Sequence, residues 1–155
     1  MDLSNGVRVL DSLTWEINEA MYIAKMDACP RGFAFWYPKH NLGFTMSTPQ
    51  ATLANLITFY EVLAVLSILD DAYLRFPPGS KVVIYTDNFS TVTMFNSLWA
   101  LPEYNCILKA ATDILITSNF HLRVLHIAGS DNCVADALSR GEFMQALQVQ
   151  PGLSI

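Results

Sequence analysis

Lys81-Val82-Val83-Ile84-Tyr85-Thr86-Asp87-Asn88 has the pattern of a central β-strand closed by an acid. Its apolar, β-branched run shows no polar alternation, so both of its faces need cover. Before it stands a helical repeat, with Leu53, Leu56, Ile57, Tyr60, Leu63 and Ala64 on one stripe. That helix is expected to run to about Leu74 and to stop at Pro77-Pro78-Gly79. After it come a helix to about Trp99, a second opening at Pro102, and a strand over His121–Ile127. A strand entered and left through helices pairs in parallel with its neighbours.

Further upstream the pattern is different. Tyr22–Asp27, Phe33–Tyr37 and Leu42–Met46 are short apolar runs separated by Cys29-Pro30-Arg31-Gly32 and by Pro38–Asn41. Short turns between such runs predict an antiparallel meander. The expected fold is therefore α/β: a mixed five-stranded sheet, three antiparallel strands then two parallel ones, flanked by helices. Side chains alternate along a strand, so Phe35, Trp36 and Tyr37 cannot all face one core, and at least one is expected to face solvent or a partner. Residues 1–20 read as a lead-in, 21–147 as one domain and 148–155 as a loose tail.

Composition narrows the function. The chain has 155 residues, 52% hydrophobic and 15% charged, and carries 9 basic against 14 acidic residues for a net charge of -5. Disorder is excluded by that apolar content. A free-standing nucleic-acid binder normally carries a basic excess, which is absent here. Cys29, Cys106 and Cys133 form no CxxC pair, which argues against a disulfide framework or a structural zinc site and fits a reduced, intracellular setting. The apolar stretch Leu53–Leu69 contains Asn55, Thr58, Glu61 and Ser67, so a membrane span is not expected.

The acids are the informative residues. Asp27 ends the first strand, Glu61 lies inside the apolar helix, Asp87 ends the fourth strand, and Asp136 opens the last helix. Sites in open α/β sheets form at the carboxyl ends of strands where the topology switches, and there Asp27 and Asp87 would face each other. Each acid has a plainer reading: Asp87 as a helix cap, Asp136 as a partner of the helix dipole, Asp27 as a turn residue. Glu61 resists one, because a carboxylate among Phe59, Tyr60, Val62 and Leu63 needs a partner, a proton or a metal. Four gathered carboxylates repel one another unless divalent cations neutralise them, and hard oxygen ligands suit Mg²⁺ or Mn²⁺.

The segment Val124–Arg140 reads V-L-H-I-A-G-S-D-N-C-V-A-D-A-L-S-R. With Tyr85-Thr86-Asp87-Asn88, Glu61-Val62-Leu63-Ala64-Val65 and Met26-Asp27-Ala28, it resembles the type 1 ribonuclease H domain of retroelement reverse transcriptases. The likeness to DIRS-type and gypsy-type elements is strongest in the pattern H-x-x-G-x-x-N-x-x-A-D-x-L-S-R. The resemblance implies that Asp27, Glu61, Asp87 and Asp136 bind two Mg²⁺ ions, with Mn²⁺ as a substitute. It places His126 as a mobile histidine assisting proton transfer or product release. Asn88 could reach a sugar hydroxyl or cap a helix. Asn132 is the second candidate substrate contact, although shaping the loop or capping the helix suits it better. Asp131 rivals Asp136, and the motif alignment selects Asp136. Cys29 departs from the family pattern, as does Thr58-Phe59-Tyr60 before the helix acid, and no basic handle follows Asp87.

The implied activity is endonucleolytic cutting of the RNA strand of an RNA–DNA hybrid, with the polymerase domain of the same polyprotein supplying most of the grip. Transposases and integrases on this fold place their glutamate last, and DEDD exonucleases need D-x-E on the first strand, which Asp27-Ala28-Cys29 does not supply. The other reading is a catalytically degenerate or domesticated domain serving as a structural or protein-binding module.

Overall fold

The computed structural model describes Ala20, residues 22–47 and residues 54–155. Apart from Ala20, the expected lead-in lies outside the described residues. The strands are β1 Tyr22–Cys29, β2 Gly32–Tyr37, β3 Leu42–Ser47, β4 Lys81–Thr86 and β5 His121–His126. They form one sheet in the order β3-β2-β1-β4-β5. The pairs β1/β2 and β2/β3 are antiparallel, whereas β1/β4 and β4/β5 are parallel, as expected.

Turn chemistry sets the meander. Pro30 and Arg31 link β1 to β2 with Cys29 opposite Gly32. A Cβ on Gly32 would collide with the Met46 carbonyl of β3, so only glycine fits there. Asn41 adopts the left-handed conformation (φ 50°) that turns the chain into β3, a region asparagine tolerates.

Helices cover both faces. Helix α1, Ala54–Arg75, returns the chain from β3 to β4. It buries Val62, Val65, Ile68, Leu69 and Ala72 against the sheet. Helices α2, Phe89–Ser97, and α3, Asn105–Ser118, join β4 to β5 and complete this core with Met94, Phe95, Ile107, Leu108 and Ala111. On the opposite face α4, Cys133–Ser139, packs on β1, β2 and β3, and a further helix, α5, Phe143–Val149, packs on α4. No described helix is long and apolar enough to cross a membrane.

Two expectations are corrected. Phe35, Trp36 and Tyr37 are all buried, because alternation sends Trp36 to the second face and that face is covered too. There Trp36 packs with Ala34, Leu138 and Leu153, while Phe35 and Tyr37 belong to the first core. The tail over 148–155 is not loose. Leu153 is buried, Gly43 N donates to Ser154 O at 2.7 Å, and Ser154 N donates to Asn41 O at 2.8 Å. The free edge of β3 leaves backbone groups unpaired, and the tail supplies their partners.

Candidate active site

The first two acids meet because of register. β1 and β4 pair from Tyr22 opposite Val82 to Lys25 opposite Tyr85. Carrying that parallel register on by two residues sets Asp27 beside Asp87, the residue that follows β4. Helix α1 crosses the same sheet end and brings in Glu61, which is only 2% exposed. One oxygen on each of Asp27, Glu61 and Asp87 lies within 4.8 Å of the other two.

Glu61 is held between the two strands it spans. Its Oε1 accepts from Ala28 N and its Oε2 from Thr86 Oγ1, both at 2.9 Å. The partners that the helical spacing around Glu61 lacks are thus tertiary ones. Asp27 has a comparable anchor. Ser139 Oγ lies 2.9 Å from both Asp27 Oδ2 and Asp136 O, and its one proton serves either acceptor.

Asp136 stands at the rim. Its carboxyl is partly exposed and accepts from Arg140 Nε at 3.0 Å. It lies outside the tight group of three, yet its charge raises the pKa of both Asp27 and Asp87. Asp131 has no such influence on either acid and is exposed in a 3-10 turn over Gly129–Asp131.

The electrostatics are those of crowded carboxylates. Burial, then the Asp87 charge, pushes Asp27 up to about 7, with the Ser139 hydrogen bond opposing. Burial, then the Asp27 charge, pushes Glu61 up to about 8, against the hydrogen bonds from Thr86 and Ala28. Asp87 is also raised, chiefly by partial burial and with Asp136 adding, while His126 acts in the opposite direction. An all-oxygen donor set whose members resist ionising together suits a hard divalent cation, whose charge would restore the ionised forms.

The remaining candidates separate. His126 closes β5 opposite Thr86 and is exposed, at the sheet end where Asp87 follows β4. Its ring stacks on Phe89, with centroids 3.9 Å apart and planes 6° from parallel. Asn88 caps α2, its Oδ1 accepting from Thr91 N at 3.1 Å. Asn132 is 2% exposed and its Nδ2 donates to Met26 O in β1 at 2.7 Å, which favours the loop-shaping reading over a substrate contact. Nor does its side chain cap α4. It ties the loop before α4 to the strand that carries Asp27.

Sequence reasoning passed over three side chains that hold these acids. Arg140 was legible, since Asp136 and Arg140 stand four apart on a helix. Thr86 and Ser139 belong to the motifs quoted above, but no spacing rule predicts their contacts with Glu61 and Asp27, which are 25 and 112 residues away.

No family model and no curated protein matches this sequence. Solved structures do match the fold. The N-terminal RNase H domain of a Mycobacterium tuberculosis protein, determined as a fusion with maltose binding protein, is similar at TM-score 0.63 and 16% identity, over 83% of this chain and 96% of that one. LC11-RNase H1 in complex with RNA/DNA hybrid is similar at TM-score 0.66 and 16% identity, over 81% of this chain and 99% of that one. The protease-reverse transcriptase of prototype foamy virus is similar at TM-score 0.54 and 14% identity, over 79% of this chain and 21% of that one. At such identities the likeness is one of architecture, and the chain has the RNase H-like fold.

Proposed function

We propose that this chain is a ribonuclease H, a metal-dependent endonuclease that hydrolyses the RNA strand of RNA–DNA hybrids. The observation that carries the reading is the convergence of Asp27, Glu61 and Asp87 from β1, α1 and the end of β4, with one oxygen of each within 4.8 Å of the others. The solved neighbours lend support, since one of them holds an RNA/DNA hybrid.

Asp27, Glu61, Asp87 and Asp136 would hold two Mg²⁺ ions, with Mn²⁺ as a substitute. When bound, such ions supply Lewis-acid activation of the attacking water and charge compensation at the departing 3′ oxygen. The protein's part is positional. Thr86 and the Ala28 amide aim Glu61, Ser139 aims Asp27, and Arg140 steadies Asp136 at the rim. His126, exposed at the same end of the sheet, would move a proton to or from solvent. Recognition would rest on 2′-hydroxyls across the wide minor groove of the hybrid rather than on base edges.

The biological setting we infer is retroelement reverse transcription, in which the domain removes template RNA. It would act beside the polymerase domain of the same polyprotein, which supplies the cationic grip that a chain with net charge -5 lacks. The A-D-x-L-S-R motif supports this, as does the foamy-virus neighbour, in which a comparable fold occupies part of a reverse transcriptase chain.

Cleavage of a labelled hybrid at low salt, in Mg²⁺ and separately in Mn²⁺, tests the proposal. Cutting confined to the RNA strand and abolished by Asp87→Asn is expected. Cutting of both strands, or cutting that survives Asp87→Asn, would sink it. A folded wild type that cuts nothing and binds no divalent ion by calorimetry, with hybrid present, would also sink it.

A further inference from the structure

Phe89, the first residue of α2, is 65% exposed. Among the described residues its ring partner is His126, and the two lie face to face at 3.9 Å and 6°. The backbone brings them together. Asp87 and Asn88 close β4, Asn88 caps α2, and Phe89 follows at once; His126 ends β5, paired with Thr86. The stack therefore stands at the same end of the sheet as the carboxylate group.

We propose that Phe89 is a positioning residue for His126. A histidine on the last residue of a strand, exposed to solvent, would otherwise sample several side-chain rotamers. A flat contact with a phenyl ring, itself set by the capped start of α2, confines the imidazole to one arrangement at the Asp87 end of the sheet. The kinetic part of this inference rests on the nuclease reading; the stack itself does not. Exposure lets Phe89 be replaced without opening the core, and the Asn88 cap involves Thr91 rather than Phe89.

The test uses the full chain and two readouts. In metal-free protein, nuclear magnetic resonance reads the carbon-bound protons of the His126 ring. Stacked over Phe89 they are shielded and shifted upfield. Phe89→Leu is expected to return them to the positions of a free histidine, and Phe89→Trp to restore the upfield shift. In hybrid cleavage, Phe89→Leu is expected to lower kcat about threefold to tenfold, the size of one lost aromatic contact, with KM unchanged. Phe89→Trp recovers the rate, and Phe89→Leu adds nothing in a His126→Ala background. An unshifted His126 spectrum in the wild type overturns the proposal. So does a loss from Phe89→Leu that is as large without His126 as with it. Should the wild type cut no hybrid, the nuclease reading fails by itself, and the spectra alone uphold or overturn the positioning role.

Discussion

Ser139 Oγ sits 2.9 Å from Asp27 Oδ2, joining the last turn of α4 to β1 across 112 residues of sequence. Both groups are buried, so the hydroxyl gives the Asp27 carboxylate a donor where water is scarce. Ser139→Ala removes that donor and with it the influence that opposes the upward shift of Asp27. Divalent-ion affinity at neutral pH is expected to fall several-fold, and the pH needed for binding to rise. Stability should drop by about 1 kcal/mol, the usual net worth of one hydrogen bond. Calorimetric titration with Mn²⁺ over a range of pH checks both; unchanged affinity would show that the hydroxyl serves only Asp136 O.

The raised acids give a stability profile of definite sign. Asp27 and Glu61 rest at about 7 and about 8 in the folded chain, against 3.8 and 4.5 when unperturbed. The folded state then binds more protons than the unfolded state, so stability falls as pH rises through that window. Thermal melts in a chelator are expected to show a falling midpoint from the acid side up to about pH 8. Glu61→Gln should flatten the fall, since an amide does not ionise. Divalent ions should reverse it by binding the ionised cluster only in the folded state. A melting midpoint that rises over the same window without metal would contradict this account.

Asn132 provides a test that separates framework from substrate contact. Its Nδ2 donates to the Met26 carbonyl inside the protein, and the residue is nearly inaccessible. Asn132→Ala should cost about 1–3 kcal/mol by leaving a buried carbonyl without its donor. In the surviving folded fraction KM for hybrid should be unchanged. Urea denaturation and steady-state kinetics on one preparation would measure both, and a selective rise in KM would restore Asn132 as a substrate contact.

The C-terminal segment carries stability. Leu153 is buried with Trp36 and Leu138, and the Ser154 backbone pairs with Asn41 and Gly43 at the edge of β3. Leu153→Ala is expected to cost about 2–4 kcal/mol, in the range for deleting a buried leucine side chain. Truncation after Val149 should cost more and should also promote self-association, because it bares a strand edge. Denaturation midpoints and light scattering of the truncated chain would report these effects; a truncated chain as stable and monodisperse as the whole would refute them.

Much of this was legible in order and period. The apolar run of β4 between helical segments implied parallel pairing, and the short Pro-containing turns implied the meander. Glu61 could be named because charge is costly in apolar surroundings, Asp27 and Asp87 because they close strands, and Asp136 over Asp131 only through the motif it shares with ribonuclease H domains. The tail and the aromatic strand were misread for one common reason. Period and polarity describe a strand's two faces, but not what is laid over them, and α4, α5 and Leu153 cover the second face from roughly a hundred residues away in sequence.

The sequence by itself determined the five strands, their mixed pairing and the acids that chemistry would need. The strands follow from side-chain period and turn residues and Glu61 from desolvation cost, all local properties, whereas Asp136 was selected by the family resemblance. Only the tertiary structure decided that three acids meet closely while Asp136 keeps its Arg140 partner at the rim. It also decided that Asn132 is buried and bonded to Met26, that Thr86 and Ser139 hold the buried carboxylates, and that Phe89 lies flat on His126. These depend on strand register and helix placement, which fix distances of a few ångströms between residues far apart in the chain.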